Sequence, residues 1–253
     1  MTQMANIAIN ANDIVAGKEE TIVLHDIDDI RIIVFNRPSA RNALSREMRK
    51  GFSSVINQTE NTENIKAVIL TGAGGAFCAG VDIKEIRSDP GHPMVRPNPA
   101  EVIRDMKKPV IAAVNGPCVT GALEIALSCS FIIASEQASF ADTHAKVGLF
   151  PAWGLSALLP RSVGVRRARQ MSMTGMFISA ATAYDWGLVN ELAPAETLLQ
   201  RCMAVARDIA CADGPSLRLQ LDVLNAYENA AQFPALAAEA TALELFRRSN
   251  VEE

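Results

Sequence analysis

Apolar positions recur with two different periods along the chain, and the change from one to the other divides it. Thr21–His25 and Ile30–Phe35 are short runs rich in β-branched residues on either side of Asp28-Asp29, which predicts a hairpin. Ser45 then stands where it can cap a helix, and Met48, Phe52, Val55 and Ile56 fall on one face of that helix. Ala67–Leu70 reads as a short buried strand feeding a glycine-rich loop, GAGGAFCAG (Gly72–Gly80). A second unit of the same kind follows: strand Val110–Val114, the turn NGPCVTG, helix Ala122–Ser128, strand Phe131–Ser135 and short strand Ser139–Ala141. From Trp153 onward the pattern is mostly helical. Glu196–Ala210 puts Leu199, Met203, Ala206 and Ile209 on one face and stops at Asp-Gly-Pro, and two further helices are expected near Ser216–Ala230 and Ala235–Arg248. The first twenty residues carry little pattern and predict a partly ordered arm. The proline-rich Asp89–Pro99 predicts a loop long enough to be a lid or mobile rim. Strand-turn-helix units followed by helices indicate an α/β core with a helical C-terminal region, whose apolar faces suit an oligomer.

Composition narrows the function classes. With 253 residues, 49% of them apolar, the chain can bury roughly 70% of its unfolded surface. A net charge of −4 leaves no electrostatic footprint for nucleic acid or an anionic membrane. Five scattered cysteines, without C-x-x-C, suit reduced thiols in a cytoplasmic setting, and the N-terminal residues lack the pattern of a secretion or transit peptide. Pro109–Ser135 holds a single charge, Glu124, but Asn115-Gly116-Pro117 breaks it into pieces shorter than the ~20 residues of a spanning helix. That carboxylate is therefore expected inside a soluble core.

Metal chemistry is not expected from three scattered histidines, His25, His92 and His144, without ligand spacing. Gly154–Leu158 lacks the last glycine of a G-x-S-x-G elbow. The GAGGAFCAG loop lacks the Lys-Ser/Thr of a phosphate loop, and Phe77 occupies the third glycine of a dinucleotide fingerprint. Small residues also let backbone N–H groups approach a ligand oxygen, and Thr120-Gly121-Ala122 opens a helix with its own outward N–H groups. Plain turns and a pair of anion-stabilising donors explain the two loops equally well at this point.

Four blocks, NRPSARNALS (36–45), TGAGGAFCAGVDIKEI (71–86), PVIAAVNGPCVTGALEIALSCS (109–130) and ASFADTHAKVGLFPAWG (138–154), resemble the enoyl-CoA hydratase/isomerase, or crotonase, superfamily. A fifth, MTGMFISAATAYDWGLVNEL, is similar to that family's helix-to-strand segment, and the order holds over nearly the whole chain. The resemblance implies a crotonase spiral of repeated β-β-α units over 1–195 and a helical trimerisation region over 196–253. It also implies an acyl-CoA thioester as substrate, CoA arriving with the substrate and no further cofactor, and a homotrimer or dimer of trimers. Carried over residue by residue, the N–H groups of Val81 and Gly121 become an oxyanion hole. Ala40, Arg41, Ala43, Leu44, Ala79, Asp82 and Ile83 bound the CoA groove. Close packing would leave the same small residues there.

Hydratases of this family hold a water between two glutamates. Glu124 matches the first, whereas His144 stands where the second would be. Glu124 in an apolar run needs a partner or a raised pKa; a structural ion pair would supply the first, while the resemblance implies a catalytic carboxylate. His144 is either a hydrogen-bonded core residue or an acid–base group suited to neutral pH. Asp142 either orients that imidazole or faces solvent, the second being the expectation, and Arg161, Arg166, Arg167 and Arg169 are expected to form a solvated face. The implied activity is hydration of a 2-enoyl-CoA. The alternatives are an isomerase, hydrolase or decarboxylase using one carboxylate, and a catalytically silent CoA-binding subunit.

Overall fold

The computed structural model describes residues 10–89 and 94–249. Most of the expected N-terminal arm's first half, and the 90–93 stretch of the expected loop, lie outside the described residues. The rest of the arm carries a short helix, Ala11–Val15 (α1), capped by Asn10, and Asn12 accepts a hydrogen bond from the Gly74 N–H at 2.6 Å. This segment is thereby tied to the glycine-rich loop.

The hairpin forms as expected. Ile22–Ile27 (β1) pairs antiparallel with Ile30–Phe35 (β2), the turn passing through Asp28 at φ 55. Arg46–Glu60 (α2) follows, with the Ser45 hydroxyl accepting from Met48 N at 3.1 Å and Met48, Phe52 and Ile56 buried. Ala67–Gly72 (β3) leads through the loop to Ile83–Ser88 (α3) and Pro99–Arg104 (α4). Neither helix is among the expected elements: α3 lies between the two expected loops, and α4 begins at Pro99, the last residue of the second. Asp82 caps the first, and Asn98 with Glu101 forms a reciprocal capping box on the second.

Val110–Val114 (β4), Pro117–Val119 (β5), Gly121–Ser128 (α5), Phe131–Ser135 (β6) and Ser139–Ala141 (β7) make the second unit. Leu155–Val163 (α6), Val165–Thr174 (α7), Phe177–Ser179 (β8), Ala180–Asp185 (α8), Glu191–Ala193 (β9) and Leu198–Ala210 (α9) precede the last helix, Gly214–Ser249 (α10). That helix is one element of 36 residues, where the sequence predicts two. Pro234 sits inside it on an exposed face, so water can satisfy the carbonyl that its missing N–H leaves unpaired.

The larger sheet has the order β1-β2-β3-β4-β6-β9 and is parallel from β2 onward. Its strands β2, β3 and β4 are buried on both faces, which is why they read as continuous apolar runs. Ile33, Phe35, Val68 and Leu70 point into one core with α2 and α5, while Ile32, Val34, Ala67 and Ile69 point into a second beneath α9. The smaller sheet, β5-β7-β8, stands beside the first unit's loop and carries the residues around Thr120 and Asp142.

Candidate active site

Two loops meet at the mouth of the fold, and hydrogen bonds to Asn42 and Cys78 hold them there. Asn42, fully buried and at φ 57, accepts from Arg37 N at 2.8 Å and donates to the carbonyls of Ala73 and Ala76 at 2.9 and 2.8 Å. Its carboxamide thereby ties the glycine-rich loop to the turn that follows β2. Cys78 N donates to the Pro117 carbonyl and Val119 N donates to the Cys78 carbonyl, at 3.1 and 3.2 Å, so Cys78 and Cys118 lie side by side in a parallel bridge.

The next residues are in contact. Gly80 has φ +87, and a β-carbon there would lie 2.1 Å from Thr120 Oγ1 and 3.4 Å from the Gly121 nitrogen. Only glycine fits this crossing. Thr120 itself holds φ 51 and ψ −116, a strained geometry for a β-branched residue. The kink makes Gly121 the first residue of α5. Leu44 N donates to the Gly80 carbonyl and Asp82 N to the Leu44 carbonyl, at 2.8 and 3.1 Å, which turns the Val81 N–H to the opposite side of this short strand. Among the described residues neither the Val81 nor the Gly121 N–H meets an acceptor.

The candidate groove residues form one rim. Ala40 ends a short 3₁₀ turn, Arg41 is exposed at φ 50, and Arg41's carbonyl accepts from Ala79 N at 2.9 Å. Ala43 and Ile83 are half-buried, whereas Leu44 is fully buried and offers the rim only its backbone. Asp82 caps α3 through Lys84 N and pairs with Arg37 at 3.2 Å.

Glu124 lies one turn into α5, with 1% of its surface exposed. Its Oε1 accepts from Trp153 N at 2.8 Å and Leu155 N at 3.2 Å, which leaves Oε2 to face His144 Nε2 at 3.7 Å. Burial pushes the Glu124 pKa up to about 7; the charge on His144 and the two N–H bonds oppose the rise, and Glu239 adds to it. His144 is 6% exposed, and burial alone would depress its pKa. The hydrogen bond to Asp142 and the nearby Glu124 charge outweigh that, and the imidazole is raised above its usual value.

Asp142 corrects the sequence expectation. It is 2% exposed, not solvent-facing, and its Oδ1 accepts from both the Nδ1 (2.8 Å) and the backbone N (3.2 Å) of His144. Burial would raise its pKa, but its bonds to His144 and Ser172 bring it below the ordinary carboxylate value. With Asp142 anionic, Nδ1 of His144 carries a proton and Nε2 is aimed at Glu124. The neutral or charged state of the ring then depends on Nε2 alone.

Two further groups had no local signal in the sequence. Arg104 of α4 donates to the Trp153 carbonyl at 2.7 Å and to Ser128 Oγ at 3.0 Å. Glu239 of α10 is 6% exposed and accepts from Gly154 N and Ser156 N, each at 2.8 Å. The Trp153 ring covers Gly121, where a β-carbon would come within 2.8 Å of it. The four arginines of the 161–169 stretch are exposed, with Arg167 stacked 5.0 Å from the centre of the Trp186 ring. Among the described residues no three His, Cys, Asp or Glu side chains converge as a metal site.

A buried carboxylate–imidazole pair beside two free backbone donors can move a proton next to an anion held by those donors. Comparison with known proteins gives that chemistry a context. The family profile described as enoyl-CoA hydratase/isomerase matches residues 27–252. A probable peroxisomal enoyl-CoA hydratase 1 of Arabidopsis thaliana is 36% identical over 71% of this chain and 69% of its own length. A 1,2-epoxyphenylacetyl-CoA isomerase of Escherichia coli is 31% identical over 83% of both chains. The crystal structure of an enoyl-CoA hydratase from Mycobacterium avium superimposes with a TM-score of 0.86 at 41% identity, covering 92% of this chain and 100% of that one.

Proposed function

This chain belongs to the enoyl-CoA hydratase/isomerase family, and we propose that it adds water across the double bond of a 2-enoyl-CoA thioester. The observation that carries the reading is the placement of Glu124 Oε2 against His144 Nε2 at 3.7 Å, on the helix whose first residue is Gly121. Val81 and Gly121 N–H groups would bind the thioester oxygen and stabilise the enolate as charge develops there, a contribution of about 10²–10³ in rate per donor. Glu124 Oε2 takes a proton from water as the water oxygen bonds to the β-carbon. The electron pair of the double bond moves to the α-carbon and its thioester oxygen. His144, protonated at Nε2 and oriented by Asp142, returns a proton to the α-carbon. The Glu124 proton then restores the imidazolium, and the sum is one water added. Side chains and water account for every proton, so the reading calls for no cofactor beyond the CoA of the substrate.

The candidate rim of Ala40, Arg41, Ala43, Leu44, Ala79, Asp82 and Ile83 is continuous through its backbone bonds, which supports a role for it in seating the CoA portion. Leu219, Val223, Leu224, Tyr227 and Phe233 are exposed apolar residues on α10, and they support self-association into the trimer or dimer of trimers that the resemblance implies. Thiols that are all free suit a reducing compartment such as the cytoplasm.

A second reading rests on one observation: at Nε2, the imidazole nitrogen not bonded to Asp142, a single carboxylate, Glu124, is present, and an isomerase needs one carboxylate to carry a proton from one carbon to another. The experiment that separates them is turnover of crotonyl-CoA followed by loss of enoyl-thioester absorbance. Hydration predicts saturable loss of that signal. Conversion of a 3-enoyl-CoA to the conjugated isomer, without hydration, favours the second reading. Binding without turnover of any thioester favours a silent CoA-binding subunit.

A further inference from the structure

The turn that enters α6 presents four successive backbone N–H groups, from Trp153 to Ser156, and two buried carboxylates from different helices take them alternately. Glu124 of α5 holds Trp153 N and Leu155 N, while Glu239 of α10 holds Gly154 N and Ser156 N. Such first-turn donors have no partner within their own helix and sit at its positive end, so they favour anions. The alternation means that neither carboxylate can shift without the turn shifting, and the turn cannot shift without disturbing both.

Packing on the α10 side is close. A β-carbon at Gly154, which has φ +110, would lie 3.4 Å from Leu236 on the same α10 face as Glu239. Phe246, two turns further on, packs against Phe150 with ring centroids 5.8 Å apart. A cavity of about 250 Å³ opens behind Glu239, lined also by Arg96, Arg104, Trp153, Glu244 and Arg247.

We infer that Glu239 is a positioning residue for the acid–base chemistry of this site: α10 supplies it to fix the Trp153–Ser156 turn, and through that turn it sets the placement and charge of the Glu124 carboxylate. This rests on the reading that Glu124 is the proton acceptor. The charged groups facing the two carboxylates are His144 from the segment after β7 and Arg104 from α4, with Glu101, Arg96, Glu244 and Arg247 around the cavity. Glu239 is the group among these that shares the α6 terminus with Glu124.

The test compares wild type with Glu239→Gln, Glu239→Asp and Leu236→Ala in the full chain, each checked for folding by circular dichroism. Carbon-13 NMR of glutamate-labelled protein follows the Glu124 carboxyl through pH, assigned by its loss in Glu124→Gln, and needs no turnover. Glu239→Gln removes a neighbouring negative charge and one acceptor, so Glu124 should titrate at lower pH than in wild type. kcat on crotonyl-CoA should fall about tenfold with KM within about twofold. Glu239→Asp keeps the charge and should keep most of the wild-type titration; if the glutamine variant does not fold, Glu239→Ser, which also removes the charge, should show the same shift to lower pH, and no shift in it overturns the proposal. Leu236→Ala loosens the same contact but retains the carboxylate, and its Glu124 titration should match wild type. An unchanged titration in Glu239→Gln, or the same shift in Leu236→Ala, overturns the proposal and makes Glu239 a packing residue. A wild-type protein that leaves crotonyl-CoA unchanged defeats the hydration reading alone, because the titration still decides the role of Glu239.

Discussion

His144 Nε2 stands 3.7 Å from Glu124 Oε2, close enough for strong electrostatic coupling and too far for a hydrogen bond. A polar atom within hydrogen-bonding distance of both would sit to one side of the line between them, not in the gap itself. A site that bound the two side chains directly to one another would have to break that bond before it could act on anything else.

Replacing Glu124 by glutamine keeps the shape and the acceptor for Trp153 N and Leu155 N, but removes the base. We expect kcat to fall by about 10²–10⁴ with acyl-CoA affinity nearly unchanged. Steady-state kinetics and calorimetric titration with a non-reactive acyl-CoA measure the two separately, and undiminished kcat would remove Glu124 from the mechanism.

The rate should depend on pH in a bell. Glu124 must be ionised to accept a proton, so activity should rise as pH increases through about 7, the value to which burial raises this carboxyl. His144 must be protonated to donate, so activity should fall again above the imidazole's own raised pKa. Asp142→Asn removes the anion that helps raise it, and the alkaline limb should then move to lower pH. A limb that stays in place in this variant would show that another group titrates there.

Stability should follow the same carboxyl with the opposite preference. The Glu124 pKa is higher in the folded chain than its ordinary 4.5, so the folded state keeps a proton that the unfolded state releases. That contribution is complete below about pH 4.5 and is lost as pH rises through about 7. Glu124→Gln loses nothing over that interval, and should be more stable than wild type at pH 8 by roughly 1–3 kcal/mol. Urea melts at pH 5 and pH 8 test this, and equal differences at the two values would count against it.

At the loop crossing, Gly80→Ala places a methyl group 2.1 Å from Thr120 Oγ1 at a φ of +87. The variant should lose on the order of 1–3 kcal/mol and most of its turnover, since the shift falls between Val81 and Gly121. Thermal melts and kcat should fall together; full activity would mean that the two N–H groups need no fixed separation.

Asn42→Asp tests the other staple. The carboxylate retains the acceptor for Arg37 N but cannot donate to the Ala73 and Ala76 carbonyls, at 2.9 and 2.8 Å in wild type. Two buried carbonyls facing a buried anion should destabilise the fold by several kcal/mol. A melting temperature equal to that of wild type would show that the glycine-rich loop is held by other contacts.

Strands β4, β6 and β7 were legible in the sequence because their bounds lie between turn residues and their apolar runs are short and continuous. α4 follows directly on the proline-rich loop, and Asn98-Pro99-Ala100-Glu101 spells the capping box that opens it, a signal present in the sequence but masked by the prolines before it. Asp142 was misread for a different reason. Its bond to His144 is local, but its bond to Ser172 on α7, thirty residues later, has no signal in the neighbouring sequence. Glu239 is farther still from any local signal, since its partners Gly154 and Ser156 lie more than eighty residues earlier. Glu124 was visible because a lone charge inside an apolar run is costly unless something specific meets it.

The single helix α10 has an uneven hold on the rest of the molecule. At 1.5 Å per residue its 36 residues reach about 54 Å. Leu236 and Glu239 are seated against the Gly154 turn, whereas Leu219, Val223, Leu224 and Tyr227 lie open to solvent. In an isolated subunit, amide hydrogen exchange along the 219–227 stretch should therefore be fast relative to that around 236–239, which opens only with the turn it clamps. If the proposed self-association buries the open stretch, its exchange slows, which makes deuterium uptake in one helix a gauge of whether subunits associate through it.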